Sequence, residues 1–202
     1  YQFSGSDLEL FIHFEKSFGY TETLRIERTY RNSQQLINIA ANFVMSNPRQ
    51  LKKNLISSKE LFRPVEIYGY ATDIMGAFSK AVDNIVSKDG VKTEIMVISR
   101  NNADFKYLFA NDIQKQFTYT ERNGHSLRSK KYPTVKFQLL TAHRSKGLEA
   151  DNVIVINLRN HLIGFPNKIA DDPLLSLVLT DADQYLYAEE RRTFYVALDR
   201  KS

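Results

Sequence analysis

The stretch Thr141-Ala-His-Arg-Ser-Lys-Gly-Leu-Glu-Ala-Asp-Asn-Val-Ile-Val-Ile-Asn157 decides the fold. It reads as a buried strand closing on Thr141, a short polar loop with one glycine, Gly147, and a second buried strand over residues 153–157. The run Val153-Ile-Val-Ile156 is continuous and β-branched, as in a strand covered on both faces. Ile95-Met-Val-Ile98 has the same character farther upstream. A basic, hydroxyl-rich loop between two such strands is a place to hold phosphates.

Working outward, short apolar runs predict strands over residues 24–27, 65–70, 94–99, 135–140 and 153–157. Helices fill the gaps. One begins at Ser33, whose hydroxyl can cap free backbone N–H groups, with Leu36, Ile37, Ala40, Phe43 and Val44 at helical spacing. Others are predicted over residues 71–86, 103–116 and 184–200. Alternating strands and helices imply an α/β fold, a mainly parallel sheet with helices on both faces. Residues 115–133 are polar and hold Gly124, Arg128, Lys130 and Lys131, which predicts a mobile loop. Residues 1–202 read as one domain.

The composition is that of an ordinary soluble globular protein, with 43% hydrophobic and 25% charged residues. The net charge of +5 favours an anionic partner only mildly. There are no cysteines, which excludes disulfides, zinc–thiolate sites and thiol nucleophiles. No apolar run reaches the roughly 18 residues of a membrane span, and no signal peptide pattern is present. A cytoplasmic protein without membrane contact is expected. The chain opens on Tyr1 and stops at Ser202, directly after its last motif, so a piece of a longer protein is expected.

Residues 141–149, followed by Tyr187-Ala-Glu-Glu-Arg-Arg-Thr-Phe-Tyr-Val-Ala-Leu-Asp-Arg200, resemble the last two motifs of UvrD/Rep-type superfamily 1 helicases, the helicase-IV-like branch most closely. Gly164-Phe-Pro166 and Asp171-Asp-Pro-Leu-Leu175 continue the resemblance. It implies a RecA-like, P-loop-NTPase-type domain, the second of the two that enclose ATP. In the first of these motifs, Thr141, His143 and Lys146 match positions that contact DNA phosphates or hold the loop. Glu149 matches the carboxylate on the nucleotide ribose, and Gly147 permits close backbone approach. A lone histidine such as His143 is otherwise more often structural. In the second motif, Arg200 matches the arginine finger, which stabilises charge on a transferring phosphoryl group. Relatives usually carry threonine where this chain has Asp199, a carboxylate placed to hold or neutralise the finger. The bland reading of Glu189, Glu190 and the late arginine is complementarity to the helix dipole.

Three earlier segments extend the match. Tyr1-Gln-Phe-Ser-Gly-Ser-Asp7 resembles the end of the motif that couples hydrolysis to DNA, and it implies that Phe3 stacks on a base. The other reading of Phe3 is core packing. Ser4 stands where an arginine is usual. Glu27-Arg-Thr-Tyr-Arg-Asn-Ser33 resembles the element whose Tyr30 stacks on adenine and whose Arg31 reaches the γ-phosphate. The other reading of Arg31 is a solvated arginine at a helix start. Ser99-Arg-Asn-Asn102 resembles a DNA-backbone contact made by Arg100 and Asn102, although polar residues after a strand are commonly a turn.

No G-x-x-x-x-G-K-[ST] loop occurs in the sequence, nor the acidic Mg²⁺ motif. The chain is therefore expected to supply half of an ATP site, with Mg²⁺ held by the N-terminal RecA-like domain of the same protein. The resemblance implies an ATP-dependent 3′–5′ DNA helicase acting on single-stranded DNA. The alternatives are a RecA-like module that binds nucleic acid or protein without catalysis, and an ATP-driven factor acting on RNA polymerase.

Overall fold

A computed structural model describes residues 13–22, 24–48, 50, 54–122, 124–169 and 185–202. Phe3, Ser4 and the segment 171–175 lie outside the described residues.

Three parallel strands form the central sheet. β1 (Glu94–Ser99) lies in the middle, and β4 (Lys136–Thr141) and β5 (Asn152–Val155) flank it. Register runs Glu94 to Lys136 through Ser99 to Thr141 on one side, and Ile95 to Asn152 through Ile98 to Val155 on the other. The continuous apolar run in β1 is explained by its position. Ile95 and Val97 enter one core with Leu139 and Ile156, and Met96 and Ile98 enter a second core with Ala142 and Ala150. All four β1 side chains are fully buried, each contributing about 1.5–3 kcal/mol relative to exposure.

Helices cover both faces. On the first lie α3 (Ile74–Asp89) and α4 (Ala103–Ala110), through Ile74, Phe78, Val82, Phe105 and Leu108. On the second lies α5 (Ala188–Leu198), through Phe194 and Ala197, with α2 (Gln34–Val44) packed beside it. Phe43 and Phe194 meet edge to face at 5.2 Å. A short helix, α1 (Phe14–Phe18), has no buried residue. Ser33 caps α2 by accepting from the Leu36 N–H, and Asp73 caps α3 by accepting from the Gly76 N–H.

Several expectations need correction. Residues 24–27 are not a strand; they lead to a single bridge, Arg28 to Ile56, and Leu24 and Ile26 are exposed. Residues 65–70 form no ladder either. Their polar side chains tie them to α3 instead, Asn84 donating to Glu66 and Tyr68, and Lys88 pairing with Glu66. The stretch 115–133, expected as a loop, contains an antiparallel hairpin of β2 (Phe117–Thr120) and β3 (Ser126–Ser129). Its inward residues Phe117, Tyr119 and Leu127 pack on the first core, so its polarity belongs to the outward positions. α4 ends at Ala110 rather than running to Gln116, because Asp112 turns the chain by accepting from the Gln116 and Phe117 N–H groups. The last helix starts at Ala188, after Tyr187 in the left-handed region.

Candidate functional site

Two clusters of expected site residues form around the sheet. The first is built from three segments remote in sequence. Arg31 stands in the loop before α2, and that loop is fastened by the segment near residue 57. Thr29 N–H donates to Ile56 O (2.9 Å), Gln34 N–H to Lys59 O (2.9 Å), and Lys59 Nζ to Arg31 O (3.1 Å). Glu149 comes from the loop after β4, and Asp199 and Arg200 follow α5. The packing of α2 on α5 brings these segments together. Arg31 pairs through Nη2 with Glu149 and through Nη1 with Asp199 Oδ2 at 3.4 Å. Asp199 Oδ1 accepts from the Asn32 amide, and its Oδ2 also accepts from Arg200 Nη2 at 2.8 Å.

The two arginines differ in exposure. The Arg31 side chain is 32% exposed, whereas that of Arg200 is 7% exposed. Arg200 is held by main-chain carbonyls as well as by Asp199. Its Nε donates to Val196 O (2.9 Å), and its Nη1 faces Leu148 O (3.3 Å) and Ser145 O (3.5 Å). Buried guanidinium N–H groups require such acceptors. Arg200 therefore fastens the end of α5 to the 141–149 loop, and its backbone adds to this by accepting from Ala150 N–H (3.1 Å). Tyr30, next to Arg31 in the chain, is 68% exposed. The Asn32 Oδ1 atom, buried next to Asp199, has no donor among the described residues. Gly147 has φ +84, a conformation that favours glycine, and a side chain there would meet open space.

The second cluster gathers at the C-terminal ends of β1 and β4. Thr141, half-buried, caps the turn after β4: its carbonyl accepts from Ser145 N–H (3.0 Å) and its hydroxyl from Arg144 N–H (3.4 Å). His143 is half-buried, while Lys146 and Asn102 are exposed. Burial, followed by the nearby Arg100 charge, lowers the His143 pKa below its ordinary 6.5, against the opposing pull of Glu190 and Glu189. The imidazole is thus neutral at neutral pH. Arg100 is engaged within the domain. Its Nε donates to Glu190 Oε1 (2.9 Å) and Oε2 (3.0 Å), and its Nη2 to Oε1 (2.7 Å). Glu190 Oε2 also accepts from Asn167 N–H at 2.9 Å, which ties in the loop that carries Phe165. Phe165, after Gly164 and before Pro166, packs edge to face on Phe194 at 5.3 Å.

Sequence reasoning passed over Glu190 and underestimated Asp199. Glu190 was readable only as a dipole complement, since its partner lies ninety residues away. Asp199 showed itself as a departure from relatives, but its reach to Arg31 and Asn32 depends on how α2 packs.

Residues 111–201 match the UvrD-like helicase C-terminal domain family. The chain is 26% identical over 200 residues to DNA helicase IV of Escherichia coli strain K12, a match spanning 99% of this chain and 26% of that protein. It is 27% identical over 126 residues to DNA helicase II of Haemophilus influenzae, spanning 61% of this chain and 17% of that protein. The chain thus spans about a quarter or less of the length of these relatives. Among the described residues no helix is long and apolar enough to cross a membrane, and no group of acidic residues and histidines could hold a metal ion. With the parallel sheet and its covering helices, these matches support a UvrD/Rep-type superfamily 1 helicase C-terminal domain, the family match itself covering residues 111–201.

Proposed function

We propose that this domain is the second motor half of an ATP-dependent DNA helicase that moves 3′ to 5′ along single-stranded DNA. The observation that carries the reading is the meeting of three segments remote in sequence: Arg31 pairs with both Glu149 and Asp199, and Asp199 also pairs with Arg200. A mixed cluster of two guanidiniums and two carboxylates beside an exposed tyrosine suits a nucleoside triphosphate. Arginine binds phosphate oxygens in a fork, a carboxylate accepts from ribose hydroxyls, and an aromatic face stacks on a base. In this role Tyr30 takes adenine, Glu149 the ribose, Arg31 the γ-phosphate, and Arg200 the charge that develops on it. Mg²⁺ and the phosphate cradle fall to the N-terminal RecA-like domain. Asn102, Thr141, His143, Lys146 and, once its ion pair opens, Arg100 face the DNA backbone, with Phe3 on a base.

In this scheme the domain alone has the finger but no cradle, so the 202-residue chain by itself does not hydrolyse ATP. The test is DNA-stimulated phosphate release by the purified chain and by the intact parent. Turnover by the parent and none by the chain supports the half-site. Turnover by the isolated chain above contaminant controls overturns it.

A further inference from the structure

Asp199 is the hub of the first cluster, with one oxygen shared between two arginines. Its Oδ2 lies 2.8 Å from Arg200 Nη2 and 3.4 Å from Arg31 Nη1, while its Oδ1 accepts from Asn32. Two guanidiniums that close together repel unless an anion stands between them. Arg200 cannot move away, because three main-chain carbonyls hold its other N–H groups. Of the two arginines, Arg31 is the one less tightly held by Asp199. It is a third exposed, its second amino group is paired with Glu149, and the Asp199 contact at 3.4 Å is longer than the usual 2.7–2.9 Å of a charge-assisted bond. The cluster of Arg31, Arg200, Glu149 and Asp199 is electrically balanced, two charges of each sign.

We propose that Asp199 is a built-in counter-ion, holding Arg31 and Arg200 together in place of the nucleotide's terminal phosphate and yielding Arg31 when that phosphate arrives. This rests on the reading that both arginines serve the terminal phosphate. A carboxylate and a phosphate offer guanidinium the same pair of acceptor oxygens, so they compete for it. The competition lowers affinity for the triphosphate. It matters little for a diphosphate, which has no γ-phosphate to place between the arginines. Asp199 is thus a positioning residue that makes the domain selective about when Arg31 is released.

The test is nucleotide binding by the intact parent protein, measured by calorimetry with a non-hydrolysable ATP analogue and with ADP. Asp199→Asn keeps the shape and the hydrogen-bonding reach while removing the charge. It is expected to bind the triphosphate analogue about fivefold more tightly or better, with less than about a twofold change for ADP. Asp199→Thr, which removes the charge in a different shape, is expected to show the same split, and covers the case in which the Asn variant folds poorly. Unchanged or weaker triphosphate binding in a variant with a cooperative unfolding transition overturns the proposal, as does equal tightening for both nucleotides. Arg31→Ala and Arg200→Ala locate the failure. If neither weakens triphosphate binding or slows turnover, the nucleotide reading of the cluster falls and the counter-ion with it. If they do, and Asp199→Asn does not tighten binding, the counter-ion alone falls.

Discussion

Arg100 and Glu190 form a three-bond fork, 2.7–3.0 Å long, between the end of β1 and the first turn of α5. The side chains are 19% and 12% exposed. A pair this sheltered, with a further hydrogen bond from Asn167 N–H, holds three segments in register. Removing one partner leaves a buried charge uncompensated, which costs far more than the pair contributes. α5 links Glu190 in its first turn to Asp199 and Arg200 just past its end, so the fork also bears on where the first cluster stands relative to the second.

Arg100→Ala should therefore destabilise the domain by about 3 kcal/mol. The paired replacement Arg100→Met with Glu190→Leu should restore much of that, because no charge is then stranded. Urea unfolding of the two single variants and the pair measures the coupling. A single variant as stable as wild type, with weaker DNA binding, would mean that Arg100 serves DNA alone.

Arg200 and Arg31 should separate by stability as well as by rate. Arg200→Ala removes donors from three carbonyls and from Asp199, and should cost about 2 kcal/mol or more. Arg31→Ala, at a solvent-facing pair, should cost well under about 1 kcal/mol. In the intact parent, Arg200→Ala should lower kcat by about a thousandfold with ATP binding nearly kept. Arg31→Ala should slow turnover and weaken ATP binding together. Small, equal effects of both on turnover would favour a solvated helix-start arginine and a purely structural Arg200.

The elements with a strong local pattern were legible in the sequence, and those defined by distant partners were not. β1 announced itself by the continuous apolar run at residues 95–98, which is buried on both faces, and β5 by the β-branched run at 153–155, which is partly buried. α2 did so because Ser33 precedes a helical apolar period. Residues 65–70 carry a strand-like composition, yet Glu66 and Tyr68 bond to α3 side chains, and no local rule encodes that choice. The hairpin was missed because its outward residues dominate its composition. Within the site, the resemblance to UvrD/Rep-type motifs is what nominated Arg31, Glu149 and Arg200. The sequence could not say that Arg200 is buried, or that Arg100 is already paired, since each depends on how α5 packs against the 141–149 loop.

His143 should make stability depend on pH. Burial and the Arg100 charge depress its folded pKa, so the folded state takes up a proton less readily than the unfolded chain. Above pH 6.5 the group is mainly neutral in both states and contributes no pH dependence. As pH falls from there through the lower folded value, the unfolded state gains the proton first and stability is lost. His143→Asn should remove that component. Unfolding midpoints at about pH 7.5 and 5 should differ more for wild type than for the variant. Equal acid losses in both would show that His143 does not carry the effect.

The domain should bind single-stranded DNA weakly, without sequence preference, and with affinity that falls steeply as salt rises, because phosphate contacts release counterions. Lys146, exposed in the 141–149 loop, is the test residue for this term. Lys146→Ala should weaken binding to all sequences alike and flatten the log–log salt slope by about 1. Asn102→Ala removes no charge and should leave the slope unchanged. Phe3 distinguishes the remaining contribution. As a base-stacking residue, Phe3→Ala loses about 1–3 kcal/mol of DNA affinity with stability kept. As a core residue, it loses about 3–5 kcal/mol of folding stability instead. Fluorescence titration of a labelled oligonucleotide at two salt concentrations, run beside thermal unfolding, reads both quantities on each variant. Salt-independent binding by the wild-type chain, or a slope that Lys146→Ala leaves intact, would remove the 141–149 loop from the DNA-facing surface.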